Sequence, residues 1–278
     1  MTPWSMVLCA FAPCLLAGCL RSTPTLDGSA PSAQTKAAPF VWPHGARAAV
    51  SLSYDDAIPS QLDNAAPALK KHGLYATFFL TGSSPTLAAT PERYRDLVRN
   101  GHELGAHTIH HPCDRGLGFP EPGFALQDYD RARMEAELQD SLRQLRELGQ
   151  SAPFSFAYPC GSTWLGEARE SYIPLVEQQF RAARGVKPDV ADPLRVSLSE
   201  VPSAMGNSSA LELTSWVERA LASGGWVVFT FHGVAGDHLA VSAEAHEALL
   251  GYLEQRKSSV WTERFGTVAA YVQAARTP

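Results

Sequence analysis

The chain contains no run of Lys or Arg. Its 23 basic residues are scattered among 28 acidic ones, for a net charge of −5 and an isoelectric point near 6.0. Nucleic-acid phosphates are held by concentrated positive footprints, so the sequence argues against a nucleic-acid partner. It also lacks the low hydrophobicity of a disordered chain and the glycine period of a collagen. With 278 residues, 45% of them apolar, it can bury one sizeable core. No internal repeat and no break in composition marks a second folded domain. Cysteine is scarce: of the five, Cys9, Cys14 and Cys19 fall in the first apolar stretch.

That stretch, MTPWSMVLCAFAPCLLAGC (1–19), is too short to span a bilayer comfortably and ends in small residues, as an export signal does. No Lys or Arg precedes it, so only the α-amino group supplies positive charge there. Leu16-Ala17-Gly18-Cys19 resembles the bacterial lipobox. This implies lipidation of Cys19 and a membrane-anchored lipoprotein, periplasmic or at the cell surface. An ordinary cleaved signal peptide is the alternative, and either route exports the chain. Residues 20–40 are rich in Ser, Thr, Ala and Pro without hydrophobic periodicity and read as a flexible tether, with the folded domain expected over 41–278. The mature chain then keeps the lipid-bearing Cys19 together with Cys113 and Cys160, the latter two an even pair of thiols in an oxidising compartment, so a disulfide comes into consideration.

Beyond the tether, strands alternate with helices. ARAAVSLSYDD (46–56) reads as a buried strand, QLDNAAPALKKHG (61–73) as a helix stopped by Gly73, and YATFFLTG (75–82) as a second strand. A helix is expected over 91–103, with Pro91 suited to its first turn, then a short strand over 103–107. Met134, Leu138, Leu142, Leu145 and Leu148 carry the helical period within 128–150. FSFAYP (154–159) and WVVFTFH (226–232) are further strands, and 242–256 and 264–275 are amphipathic helices. Such alternation implies parallel βαβ units, arranged as a barrel or as a doubly wound sheet.

In parallel α/β folds, functional groups collect at the carboxyl ends of the strands. Four polar clusters fall there: Asp55-Asp56, His107 to His111, Tyr158 to Gly161, and His232. Adjacent acids can simply cap the next helix. They can equally divide two duties, one holding a metal and one staying free as a base. His107 and His111 are spaced H-x-x-x-H, which lets two imidazoles converge if the segment bends into a helical turn. His110 then points elsewhere, packing or capping, and Pro112 stiffens the exit. With one aspartate, the pair makes two nitrogens and a carboxylate oxygen, leaving positions open for water and substrate.

SYDDA, YATFFLTG, GAHTIHHP, FAYPCG and VVFTFHG, in that order, resemble the NodB-type polysaccharide deacetylases, carbohydrate esterase family 4. The likeness runs from Ala46 to Tyr271 and implies a distorted (β/α) barrel. It implies Asp55 as base, Asp56, His107 and His111 as ligands of a divalent metal, Thr108 as a brace of the loop, and His232 as acid. The metal is expected to be Zn²⁺, or another divalent ion such as Co²⁺ or Ni²⁺. The implied reaction is hydrolysis of acetyl groups from a glycan, with the backbone N–H of Cys160 facing the oxyanion and Tyr158 facing substrate. N-acetyl and O-acetyl substrates suit the same chemistry. Tyr158, Trp164 and Trp261 are candidates to stack on sugar rings.

The sequence departs from the family where Arg-x-Pro-Tyr-Gly is usual. Here Ala157-Tyr158-Pro159-Cys160-Gly161 has no arginine to orient the base, and Arg184 is the candidate replacement. Ala57 stands for the commoner glycine after the two acids, a change expected to matter little. Asp189 and Asp192 are candidates to tune His232. If both cysteine-bearing motifs border one site, Cys113 and Cys160 are neighbours. A disulfide between them would then stabilise the fold by about 4 kcal/mol through chain entropy. Two other readings compete. Two histidines and a carboxylate also form the facial triad of non-haem Fe(II) oxygenases, although those usually rest on β-barrels. The missing arginine, in turn, would suit a domain that grips a glycan without turning it over.

Overall fold

In a computed structural model, which describes residues 40–276, the strand expected at the start forms as β1 (Ala48–Asp55), and all eight residues are buried. The segments expected to be an export signal and a tether, with Cys19, lie outside the described residues as far as residue 39. A strand buried on both faces loses the polar alternation of a surface strand, which is why β1 reads as a near-continuous apolar run. Its alternation survives in where the side chains point. Val50, Leu52 and Tyr54 pack in a core shared with the surrounding helices. Ala49 lies in a second core on the opposite face, where Ser51 accepts from the Trp226 indole at 3.1 Å. Asp55 shares the parity of Ala49 and Ser51 and therefore faces the lumen of the sheet.

The chain continues through a π-type turn (Gln61–Ala65) into α1 (Ala66–Lys71), then β2 (Thr77–Leu80), α2 (Pro85–Ala89), α3 (Pro91–Arg99) and β3 (Glu103–Ala106). Next come α4 (Arg131–Glu147), β4 (Ser155–Ala157), the hairpin β5 (Trp164–Leu165) and β6 (Glu170–Ser171), α5 (Ile173–Gln179) and β7 (Ala182–Arg184). β8 (Ala204–Met205), α6 (Ala210–Ser223), β9 (Trp226–Phe231), α7 (Ala243–Gln255), β10 (Val260–Thr262) and α8 (Phe265–Arg276) complete it. The main sheet is parallel, in the order β7-β4-β3-β2-β1-β9-β8, and β10 pairs with the first residues of β1.

The choice between barrel and open sheet is decided at the edges. Val201 donates to the carbonyl of Ala183 in β7 and accepts from Gly185 N, at 2.8 and 2.9 Å. Three residues later Ala204 pairs with Phe229 of β9. One extended segment therefore joins the two sheet edges, and the sheet curls into a distorted barrel. α8 places Phe265, Val268 and Val272 in the lumenal core with Trp226 and Val228. Its start is fixed by Glu103, which accepts from Gly266 N, Thr77 Oγ1 and Ser155 Oγ at 2.7–2.9 Å. Phe40, expected to end the tether, instead packs edge-on against Trp42 and Tyr271 and belongs to the fold.

Candidate active site

β1, β3, β4, β7 and β9 release their chains on the same end of the barrel, and the polar clusters meet there. After Asp55 the backbone turns through left-handed conformations at Asp56 (φ 82°) and Ala57 (φ 56°). This turn lets both neighbouring carboxylates face the same imidazole: His107 Nε2 lies 3.8 Å from Asp55 Oδ2 and 3.6 Å from Asp56 Oδ1. The Ala57 position is therefore less innocuous than its small side chain suggests, since a left-handed residue with a Cβ costs about 1–2 kcal/mol.

The loop after β3 is held from several sides. Thr108, left-handed and buried, donates to the His107 carbonyl at 2.5 Å and accepts from His111 N at 3.0 Å. The buried carboxylate of Glu137, on α4, accepts from the amides of Ile109 and His110 and from the Tyr129 hydroxyl, at 2.8–3.0 Å. His110 Nδ1 lies 2.6 Å from the same carboxylate, and its ring stacks on Phe124, so it packs rather than ligates. The bonds made by Thr108 and Glu137 hold the bend that brings His107 and His111 together, their ring centroids 4.8 Å apart.

His107 Nε2 and His111 Nε2 lie 3.6 and 3.4 Å from Asp56 Oδ1. Tetrahedral Zn²⁺ with N and O donors at about 2.0–2.2 Å separates its donors by about 3.3–3.5 Å, so this trio fits a divalent cation. The protonation chemistry agrees. His107 Nδ1 bonds the Ala157 carbonyl at 2.8 Å, which leaves the Nε2 lone pair free. Burial pushes the His107 imidazole down to about 4, against the opposing pull of Asp55, so the ring is neutral near pH 7, as a ligand must be. Burial would raise the Asp56 carboxyl. The His238 hydrogen bond and the nearby His107, His111 and His232 outweigh it and hold Asp56 well below the ordinary carboxylate range.

Asp55 is engaged from across the lumen. Arg184, fully buried at the end of β7, donates through Nη2 to Asp55 Oδ2, and its guanidinium lies 5.4 Å from the centre of the Phe79 ring. Asp55 Oδ1 is buried with no hydrogen-bond donor among the described residues, so one carboxylate oxygen is neutralised and the other is free to accept. The Asp55 carbonyl and the His232 carbonyl both accept from Gln61 Nε2, the latter at 3.2 Å, which joins the ends of β1 and β9. His232 Nε2 lies 3.9 Å from Asp56 Oδ2. Burial lowers the His232 imidazole, and its Nδ1 has no hydrogen-bond partner among the described residues. Asp189 and Asp192 do not tune this ring: their carboxylates cap the amides of Val190 and Leu194.

Cys113 and Cys160 form a disulfide, their Cα atoms 5.9 Å apart. It joins the loop after β3 to the turn after β4, and Cys113 Sγ lies 3.5 Å from His111 Nδ1. A cavity of about 840 Å³ opens over the whole cluster, with Cys160, Tyr158, Phe119, Val186, Met205 and Leu239 among its walls. The aromatic candidates fare differently from expectation. Tyr158 lines this cavity but is buried, its hydroxyl donating to Ser199 O at 2.9 Å. Trp164 lies under the Arg169 guanidinium, and Trp261 packs against Trp42 and Tyr271. The exposed aromatic at the mouth is Phe119.

Residues 44–172 match the family model described as polysaccharide deacetylase. Over these residues the chain is similar to the polysaccharide deacetylase family. The remainder of the barrel is matched by solved structures of the family's fold. A putative polysaccharide deacetylase from Mycobacterium smegmatis superposes with a TM-score of 0.62 at 18% identity, over 87% of this chain and 96% of that one. A probable polysaccharide deacetylase from Pseudomonas aeruginosa does so with a TM-score of 0.61 at 15% identity, over 84% and 93%. Among curated proteins, a gellan lyase from a Bacillus species is 25% identical over 264 residues, 85% of this chain. The chain spans about a tenth of that protein's length.

Set against the polysaccharide deacetylase motifs, three structural residues here escape sequence reading. Glu137 hides among the charges of an amphipathic helix, and Gln61 opens what looks like an ordinary one. His238 lies in GVAGDHLAV, whose glycines and Asp signal a turn but not its direction. Its Nε2 reaches Asp56 Oδ2 at 2.8 Å.

Proposed function

We propose that this chain is a metal-dependent deacetylase that removes acetyl groups from the amine nitrogens of a glycan. The reading rests above all on one arrangement: two imidazole nitrogens, each 3.4–3.6 Å from the same Asp56 oxygen, beside a carboxylate with one neutralised and one free oxygen. Asp56, His107 and His111 would hold the cation, which supplies Lewis acidity toward water and the acetyl carbonyl. Asp55, oriented by Arg184, takes a proton from the attacking water as its oxygen adds to the acetyl carbon. The amide of Cys160, at the left-handed turn after β4, is suited to face the developing oxyanion. His232 gives a proton to the leaving nitrogen, which departs as the amine while acetate leaves from the acetyl carbon.

An amine is a poor leaving group unless protonated, so an acid opposite the base favours N-acetyl over O-acetyl substrates. The scaffold favours hydrolysis over the iron oxygenase reading, since those sites usually rest on β-barrels. Arg184 supplies the contact whose absence from the third motif favoured a non-catalytic binder. The apolar first 19 residues and the lipobox-like Leu16-Ala17-Gly18-Cys19 support a lipid-anchored protein acting on a glycan outside the cytoplasm.

The test is acetate release from a panel of N- and O-acetylated glycans. Release from N-acetylated members, abolished by a chelator and restored by Zn²⁺ or Co²⁺, is the expected result. No release from any member by the metal-loaded protein would refute the reading.

A further inference from the structure

The loop Gly233–Val241, which follows β9, is built with unusual care for a surface connection. Ala235, Asp237 and Leu239 all occupy left-handed backbone, a conformation that costs residues with a Cβ. A Cβ at Gly233 would lie 1.9 Å from the Gly236 carbonyl, so the chain can double back there only on glycine. Ser60 ties the loop to the turn after β1. Its amide donates to Asp237 Oδ2 at 2.8 Å, its hydroxyl donates to Gly236 O at 3.3 Å, and Val234 N donates to Ser60 Oγ at 3.1 Å. Asn64 Nδ2 adds a bond to Val234 O at 2.7 Å, and Gly233 N donates to the His238 carbonyl at 3.1 Å.

The outcome of this construction is one contact. His238, half exposed, directs Nε2 onto Asp56 Oδ2 at 2.8 Å. The two oxygens of Asp56 are thereby divided: Oδ1 faces His107 and His111, and Oδ2 is taken by His238. A carboxylate with both oxygens free can rotate, or can chelate a cation through both. A donor fixed on one oxygen removes both freedoms and keeps coordination positions open for reactants.

We propose that His238 is a positioning residue that holds Asp56 as a one-oxygen ligand and so tightens the cation site. The proposal rests on the reading of Asp56, His107 and His111 as metal ligands. Outer partners of this kind are typically worth about 10–100-fold in metal affinity.

The experiment is a Zn²⁺ titration of chelator-stripped protein against a chromophoric competitor, with the bound ion counted per chain. His238→Ala is expected to weaken Zn²⁺ binding about 10–100-fold while keeping one ion per chain. His238→Gln, which retains an N–H donor, is expected to recover part of that loss, a rescue that a merely structural role would not give. Unchanged affinity in His238→Ala, with wild type binding normally, would overturn the proposal. So would two ions in wild type falling to one in the variant, since His238 would then be a direct ligand. Failure of wild type to bind Zn²⁺ would instead strike the metal reading beneath it.

Discussion

Arg184 stands 129 positions from Asp55, yet it is the only side chain that donates a hydrogen bond to that carboxylate among the described residues. Removing one partner of a buried ion pair leaves an uncompensated charge, which costs about 3–5 kcal/mol. Arg184→Gln is therefore expected to lower the unfolding free energy by that order and to depress acetate release through kcat more than KM. Chemical denaturation and steady-state kinetics measure the two effects. A variant as stable and as fast as wild type would show that the pair is not formed. At this scale the sequence was legible where function is written in adjacent letters. Asp55-Asp56 and His107-x-x-x-His111 are contiguous motifs at strand ends. Cys113 and Cys160 could be paired because each lies beside such a motif. His238 could not be placed, because its contact with Asp56 spans 182 positions and depends on the path of a strained loop.

Helices and strands long enough to show a period were readable from the chain. α4 runs from Asp130, which caps Arg133 N at 2.8 Å, to a left-handed Gly149, within the span that periodicity predicts. β7, β8 and β10 have two or three residues each, too few for any alternation to register. α7 illustrates a contact that periodicity cannot show. Its His246 is buried against β1, with Nε2 2.7 Å from the Tyr54 hydroxyl, and burial pushes the imidazole down to about 4. The unfolded chain would protonate this residue near pH 6.5. Between about pH 6.5 and 4 the unfolded state thus binds the extra proton, and stability falls as pH falls; above that window the effect vanishes. His246→Gln is expected to flatten the decline of the melting temperature between pH 7 and 5. An undiminished slope would mean that His246 titrates normally in the fold.

At the scale of the molecule, closure of the barrel sets the site. The 201–205 segment joins β7 to β9, so Arg184 from one edge of the sheet and Asp55 from its middle meet across the lumen. Alternating strands and helices imply a parallel sheet, but they do not reveal whether its edges meet, since closure here rests on a few backbone bonds of an irregular segment. Backbone strain follows the same geography: among the described residues, eight of the ten left-handed residues other than glycine lie in the loops around the cavity. Strain concentrated there is the pattern expected of a preorganised site rather than of a passive scaffold. The central claim is that Asp55 acts as base beside a cation held by other residues. Acetate release and bound Zn²⁺ per chain, measured together on wild type and Asp55→Asn, test it most directly. Both proteins are expected to bind one Zn²⁺, and only wild type to release acetate. Asp55→Asn deacetylating at the wild-type rate with its Zn²⁺ in place would contradict it.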